Sequence, residues 1–164
     1  MYDFNYHKPD CIDEAIKLVL GAEEGIYLAG GHTLLPSMKQ RLAAPTDVID
    51  LAGIEGLSGV KSVGSELDIG ALTAHDEVAT SPVVQSVIPA LAELASLIGD
   101  AQVRNRGTIG GSVANSDPAA DYPAGVLGLG AEIVTNKRSI AADDFFTAMF
   151  ETALEEGELI TRIK

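Results

Sequence analysis

Cysteine, tryptophan and positive charge are all scarce in this sequence. Cys11 is the single cysteine among 164 residues. One thiol cannot close an internal disulfide, ligate an iron–sulfur cluster or build a four-ligand zinc site. Any metal redox centre that works with this chain therefore belongs on another one. Lysine and arginine total 11 against 24 aspartates and glutamates, a formal charge of −13. Sequence-independent nucleic-acid binding depends on neutralising phosphates, so no nucleic acid is expected as a partner. An anionic membrane surface is disfavoured on the same ground. There is no apolar run of about eighteen residues, so no membrane insertion is expected. Met1-Tyr2-Asp3-Phe4-Asn5-Tyr6 lacks the basic-then-apolar layout of a secretory leader. The expectation is a cytoplasmic protein.

What is present is ordinary globular material, 46 % hydrophobic and 21 % charged, which rules against disorder. The length suffices for one core or two small adjoining ones. In the first fifty-five residues, Ile12, Ala15, Ile16, Val19 and Leu20 recur at helical spacing, with Asp10 as N-cap and Gly21 as stop. A strand is predicted over Ile26–Ala29, a helix over Leu34–Leu42 with Pro36 in its first turn, and a strand over Val48–Leu51. This order predicts a parallel βαβ crossover.

The glycine-rich stretch Gly53–Gly59 marks a boundary, which divides the chain into lobes 1–55 and 56–164. In the second, Leu67, Ile69 and Ala71 alternate as a half-buried strand. Thr73 and Asp76 have capping-box spacing, and one helix is expected from Ser81-Pro82 to Ile98, stopped by Gly99. A glycine-rich turn over Gly107–Ser112, a helix over Asp121–Leu129 and strands near Glu132–Thr135, Arg138–Ala141 and Leu159–Ile163 complete an α+β lobe.

Two segments carry chemistry: Ala29-Gly30-Gly31-His32-Thr33 and Arg104-Asn105-Arg106-Gly107-Thr108-Ile109-Gly110-Gly111-Ser112. A glycine pair after a buried strand removes Cβ atoms where a ligand could approach the main chain, and a helix opened by the turn leaves free N–H groups there. Thr33 adds a hydroxyl. The second segment offers the same chemistry through Thr108, Gly110, Gly111 and Ser112, so the two could clamp a dinucleotide diphosphate. Either segment alone is more often just a turn, and neither fits the Rossmann or phosphate-loop pattern. The residues by themselves leave a nucleotide cleft and two unrelated turns both open.

Taken together, the segments resemble a known family. Leu28-Ala29-Gly30-Gly31-His32-Thr33-Leu34-Leu35-Pro36, followed by Lys39, resembles the first flavin motif of the FAD-binding medium subunits of molybdenum hydroxylases, the group that includes aerobic carbon monoxide dehydrogenase and the flavin domain of xanthine dehydrogenase. Gln102–Ser112, continuing through Asn115–Asp121, resembles the second motif. Ala71-Leu72-Thr73 and Gly157-Glu158-Leu159-Ile160 also fit. The resemblance implies an α+β, two-lobe fold with FAD in the groove, a small parallel βαβ lobe beside a larger mixed or antiparallel sheet lobe. It implies that Leu28, Ala29, Gly30, Gly31, His32, Thr33, Leu34 and Leu35 wrap the diphosphate, with Thr108, Ile109, Gly110, Gly111 and Ser112 as the other wall. Asp121 would bind a ribose hydroxyl, Ile98 would contact the adenine side and Ile160 the isoalloxazine ring. The implied partners are an iron–sulfur small subunit and a molybdopterin large subunit, with FAD relaying electrons from clusters to an acceptor. Family members normally continue into a C-terminal domain, and the resemblance implies a more exposed ring and weaker FAD without it.

The same reading names no catalytic residue and no metal ligand. His75-Asp76-Glu77 is read as the solvated first turn of a helix rather than a metal cluster, and His32 as a phosphate contact or a plain turn residue. Arg104 and Arg106 face phosphates, a partner or solvent. The competing functions are an assembly or regulatory module without redox activity and a stand-alone flavin oxidoreductase of the vanillyl-alcohol oxidase type.

Overall fold

The computed structural model describes residues 1–164. The N-terminal lobe runs β1 (Asn5–His7), α1 (Ile12–Gly21), β2 (Gly25–Leu28), α2 (Leu34–Lys39) and β3 (Asp47–Asp50). Its three strands lie in the order β1-β3-β2, and both pairings are parallel. The expected βαβ crossover is β2–α2–β3. The periodic apolar stripe of α1 turns Ala15 inward, where it is fully buried with Ile49, Leu51 and Ile54. The chain enters α1 through Cys11, not Asp10. Cys11 is exposed and gives no side-chain cap, while the Asp10 N–H donates to Glu14 Oε2 at 3.3 Å. α2 stops at Lys39, short of Leu42, because Arg41 turns into the left-handed region with φ 62°.

The second lobe continues with β4 (Val60–Val63), β5 (Glu66–Gly70), α3 (His75–Thr80), α4 (Pro82–Val87), α5 (Pro89–Leu97), α6 (Ala101–Arg104), α7 (Ile109–Asn115) and α8 (Asp121–Gly128). β6 (Glu132–Thr135), β7 (Ser139–Ala141), α9 (Ala142–Phe145), β8 (Phe146–Ala148), β9 (Glu151–Thr152) and β10 (Ile160–Ile163) close the chain. β4-β5-β10-β6-β7 form an antiparallel sheet with the last strand at its centre, and β8–β9 is a separate hairpin. The alternation in β5 puts Leu67 and Ile69 into a core with Val78, Ile109, Tyr122, Ile133 and Phe145. Each such large apolar side chain contributes about 1.5–3 kcal/mol on full burial. The fold is thus α+β, with a parallel lobe and an antiparallel one.

Three local expectations are corrected. The long helix from Ser81-Pro82 is two helices, because Pro89 lacks an N–H and Ile88 leaves helical geometry at φ −135°, ψ 76°. Val84, Leu91 and Ala95 still share the buried face. Thr73 does not cap α3, whose N-cap is Ala74; its hydroxyl instead accepts from the Gly59 N–H at 2.9 Å and donates to the Gly59 carbonyl at 3.1 Å. Finally, Ile109–Ser112 is not a turn but the opening of α7, whose N-cap Thr108 accepts from the Gly111 N–H at 3.2 Å.

Candidate functional site

A cleft of about 600 Å³ lies between the lobes, within the range of cofactor sites. The small lobe contributes the end of β2 and the turn into α2. The large lobe contributes the end of β5, His75, the turn into α7 with its first turn, and the segment leading into β10.

The two glycine segments prove chemically different. In the first, Gly31 takes φ +77°, which turns the chain at the mouth of the cleft. The main-chain N–H groups of Gly30, Gly31, His32, Thr33 and Leu34 donate to no protein acceptor. Five consecutive free donors along one wall suit an anionic oxygen cluster.

In the second segment every donor but the Thr108 N–H is spent inside the protein. The Ile109 N–H donates to the Thr73 carbonyl at 3.1 Å, Gly110 to the Ala71 carbonyl at 2.8 Å and Ser112 to the Thr108 carbonyl at 3.0 Å. The expectation that this segment repeats the donor array is therefore corrected. Its glycines permit close packing: a Cβ at Gly110 would meet the Ala71 Cβ at 2.5 Å, and one at Gly107 would meet His75 Nε2 at 2.5 Å. Gly30 is equally constrained, since a Cβ there would be driven into the Arg106 carbonyl oxygen. To the cleft α7 presents the bare edge of Gly110 and Gly111, followed by Ser112, Ala114 and Asn115.

The surrounding charges are few. His75 is 5 % exposed, and burial, with a smaller contribution from nearby His32, pushes its pKa down to about 4; it is neutral at pH 7. Its position in the first turn of α3 is as expected, but the solvated environment is not. Burial raises the Tyr27 phenol to about 12, and its hydroxyl donates to the Gly157 carbonyl at 3.1 Å, tying the small lobe to the segment before β10. Burial would raise the Glu158 carboxyl, yet hydrogen bonds from Arg138, Thr135 and the Glu155 N–H outweigh it and hold its pKa at about 2. Arg104 is taken up locally, donating to the carbonyls of Ile98 and Gly99 at 3.2 and 3.0 Å.

Of the residues singled out in the sequence, the cleft brings together Leu28, Ala29, Gly30, Gly31, His32, Thr33, Leu34, Ile98, Thr108, Gly110, Gly111, Ser112 and Ile160. Three others lie off its lining. Leu35 follows on α2, Ile109 is fully buried in the larger core, and Asp121 is exposed on the first turn of α8, while Asp117 lines the wall. Sequence reasoning missed His75, Val103 and Leu159 as lining residues. The buried contact of His75 with Gly107 is a tertiary feature that local spacing does not encode.

Comparison with known proteins shows the family of the chain. The family described as "FAD binding domain in molybdopterin dehydrogenase" matches residues 2–164. The chain belongs to this family. It is 44 % identical to the carbon monoxide dehydrogenase medium chain of Hydrogenophaga pseudoflava, over 98 % of this chain and 58 % of that relative. The glyceraldehyde dehydrogenase medium chain of Sulfolobus acidocaldarius is 37 % identical over 99 % of this chain and 59 % of its own length. The solved carbon monoxide dehydrogenase of H. pseudoflava that lacks the Mo-pyranopterin moiety superposes with a TM-score of 0.95 at 43 % identity, covering 99 % of this chain and 58 % of that one. The chain thus spans less than two thirds of the length of these relatives. The cleft of this FAD-binding domain fits its cofactor on its own geometry, because a row of free N–H groups and a wall edged by Gly110 and Gly111 share a largely apolar lining.

Proposed function

We propose that this chain is the FAD-binding, electron-transfer part of a molybdenum-containing hydroxylase or dehydrogenase. The observation that carries the reading is the free donor row at Gly30–Leu34 facing the Gly110–Gly111 edge of α7, in a chain of the FAD-binding family. Gly30 to Leu34 hold the diphosphate through the main chain, with Leu28, Ala29 and Leu35 supporting that turn. Thr108, Ile109, Gly110, Gly111 and Ser112 form the opposite wall, mostly as shape rather than as donors. Ile98 meets the adenine side, Ile160 the isoalloxazine side, and Asp121 reaches a ribose hydroxyl from the rim. The lobes divide at 1–55 and 56–164.

Bound FAD supplies the redox chemistry, taking electrons from iron–sulfur clusters and passing them to an acceptor. The chain's own residues bind and orient the cofactor and exclude water from one side of it. The partners are an iron–sulfur small subunit and a molybdopterin large subunit in the cytoplasm, and the large subunit selects the substrate. No helix is long and apolar enough to cross a membrane.

The test is to mix the purified chain with FAD, desalt it, and record the flavin absorption and its bleaching by a reduced iron–sulfur partner subunit. Retained colour that bleaches supports the reading. A colourless chain that still captures the partner would instead indicate an assembly module without redox activity.

A further inference from the structure

His75 and Tyr122 stand out among the buried groups. The Nδ1 of His75 and the hydroxyl of Tyr122 are buried side-chain polar atoms with no hydrogen-bond partner in the protein. The two rings pack together, with centroids 5.2 Å apart and planes at 48°. Buried polar groups are rarely left unpaired, and a neutral imidazole has one donor and one acceptor to place. A core histidine with a purely structural task would bond both nitrogens to protein, and His75 bonds neither by its side chain.

Its setting shows where the free edge points. The His75 main-chain N–H donates to the Gly107 carbonyl at 3.0 Å. The Nε2 edge reaches the position that a Gly107 Cβ would occupy. His75 and Gly107 both line the cleft, together with Thr108, Gly111 and the donor turn that carries His32. Only glycine at 107 lets the imidazole come through to this wall. The Tyr122 hydroxyl, on the ring packed against the imidazole, finds no partner either, so the tautomer is left to what the Nε2 edge meets in the cleft.

We propose that His75 is a further contact to the cofactor, an imidazole whose Nε2–H donates to the diphosphate of bound FAD past the bare Cα of Gly107. This rests on the FAD reading above. It adds one side-chain donor from the large lobe, where the α7 N–H groups are already spent, and so completes the clamp from the second side. Its depressed basicity fits the role, since it contributes a hydrogen bond without a buried charge.

The test uses the full chain and three variants: His75→Phe, which keeps the ring volume; His75→Gln, whose amide nitrogen reaches toward the Nε2 position; and His75→Asn, whose amide does not. FAD and ADP affinities are measured by titration, and thermal unfolding is measured without ligand. The account expects His75→Phe to melt close to the parent yet bind both FAD and ADP about tenfold more weakly, a loss typical of one charge-assisted hydrogen bond. Glutamine should recover most of that loss and asparagine should not. If the phenylalanine variant does not fold, the glutamine–asparagine difference carries the test. Parental affinity in the phenylalanine and asparagine variants, or loss for FAD with none for ADP, overturns the inference while leaving the FAD reading intact. Failure of the parent chain to bind FAD overturns both.

Discussion

Gly30 faces the carbonyl of Arg106 so closely that no side chain fits between them. The contact joins the turn after β2 to the turn before α7, so the two motifs touch through their backbones rather than only through a ligand. Gly30→Ala should therefore cost about 1–3 kcal/mol by overpacking, even without FAD. Thermal unfolding of the cofactor-free protein checks this, and an unchanged melting temperature would refute the contact.

Gly111 is expected to behave differently. A Cβ there meets only the Thr108 hydroxyl at 2.8 Å and the Ala29 methyl at 3.5 Å, at the cleft wall. Gly111→Val should weaken FAD far more than it lowers the melting temperature. Parallel measurement of both quantities separates this outcome from general unfolding.

Thr108 caps α7 through the Gly111 N–H. Thr108→Val keeps the shape and deletes the acceptor, with an expected loss of about 1 kcal/mol. Denaturant unfolding should show a lower midpoint with an unchanged slope.

Two groups give separate pH signatures. His75 titrates near 6.5 when unfolded and about 4 when folded. Below pH 6.5 the unfolded chain gains a proton that the native state refuses, so stability present above 6.5 is lost as the pH falls toward 4, by at most about 3 kcal/mol. Glu158, with its pKa lowered from 4.5 to about 2, loses its contribution only between those values. Urea midpoints across this range should show the higher window disappear in His75→Phe and persist in Glu158→Gln.

Glu158 braces three stretches of chain. Its side chain takes bonds from Arg138 Nε at 3.1 Å and Nη2 at 3.0 Å, from Thr135 Oγ1 at 2.6 Å and from the Glu155 N–H at 2.9 Å. Leu159 and Ile160, which follow directly, line the cleft. Glu158→Gln should destabilise by about 2 kcal/mol, since charged hydrogen bonds are replaced by neutral ones around a buried group. It should also loosen FAD. A variant with parental melting and affinity would show that the brace is idle.

Much of this was legible in the residues. Ile26–Ala29 before two glycines, the alternation through Leu67 and Ile69, and the strand at Glu132–Thr135 are strong local patterns, and each lies within a residue or so of its observed element. The strands Asn5–His7, Val60–Val63 and Phe146–Ala148 were not legible, because three or four residues with no buried side chain carry no period. The helix expected from Ser81-Pro82 to Ile98 runs across Pro89, where Ile88 leaves helical geometry and the chain forms two helices. At the site, both motifs stood out by their glycines, but their division of labour did not. That the Ile109 and Gly110 N–H groups are consumed by Thr73 and Ala71 depends on a pairing distant in sequence, and so does the burial of His75 beneath Gly107.

The central claim is that the cleft grips a dinucleotide by its diphosphate. Its most direct test is a titration of the cofactor-free chain with FAD and with FMN, which shares the flavin ring but lacks the diphosphate bridge and adenosine. The account predicts that FAD remains bound through desalting, while FMN binds at least about a hundredfold more weakly, a difference of roughly 2.7 kcal/mol. Equal affinity for the two, or retention of neither, would contradict it.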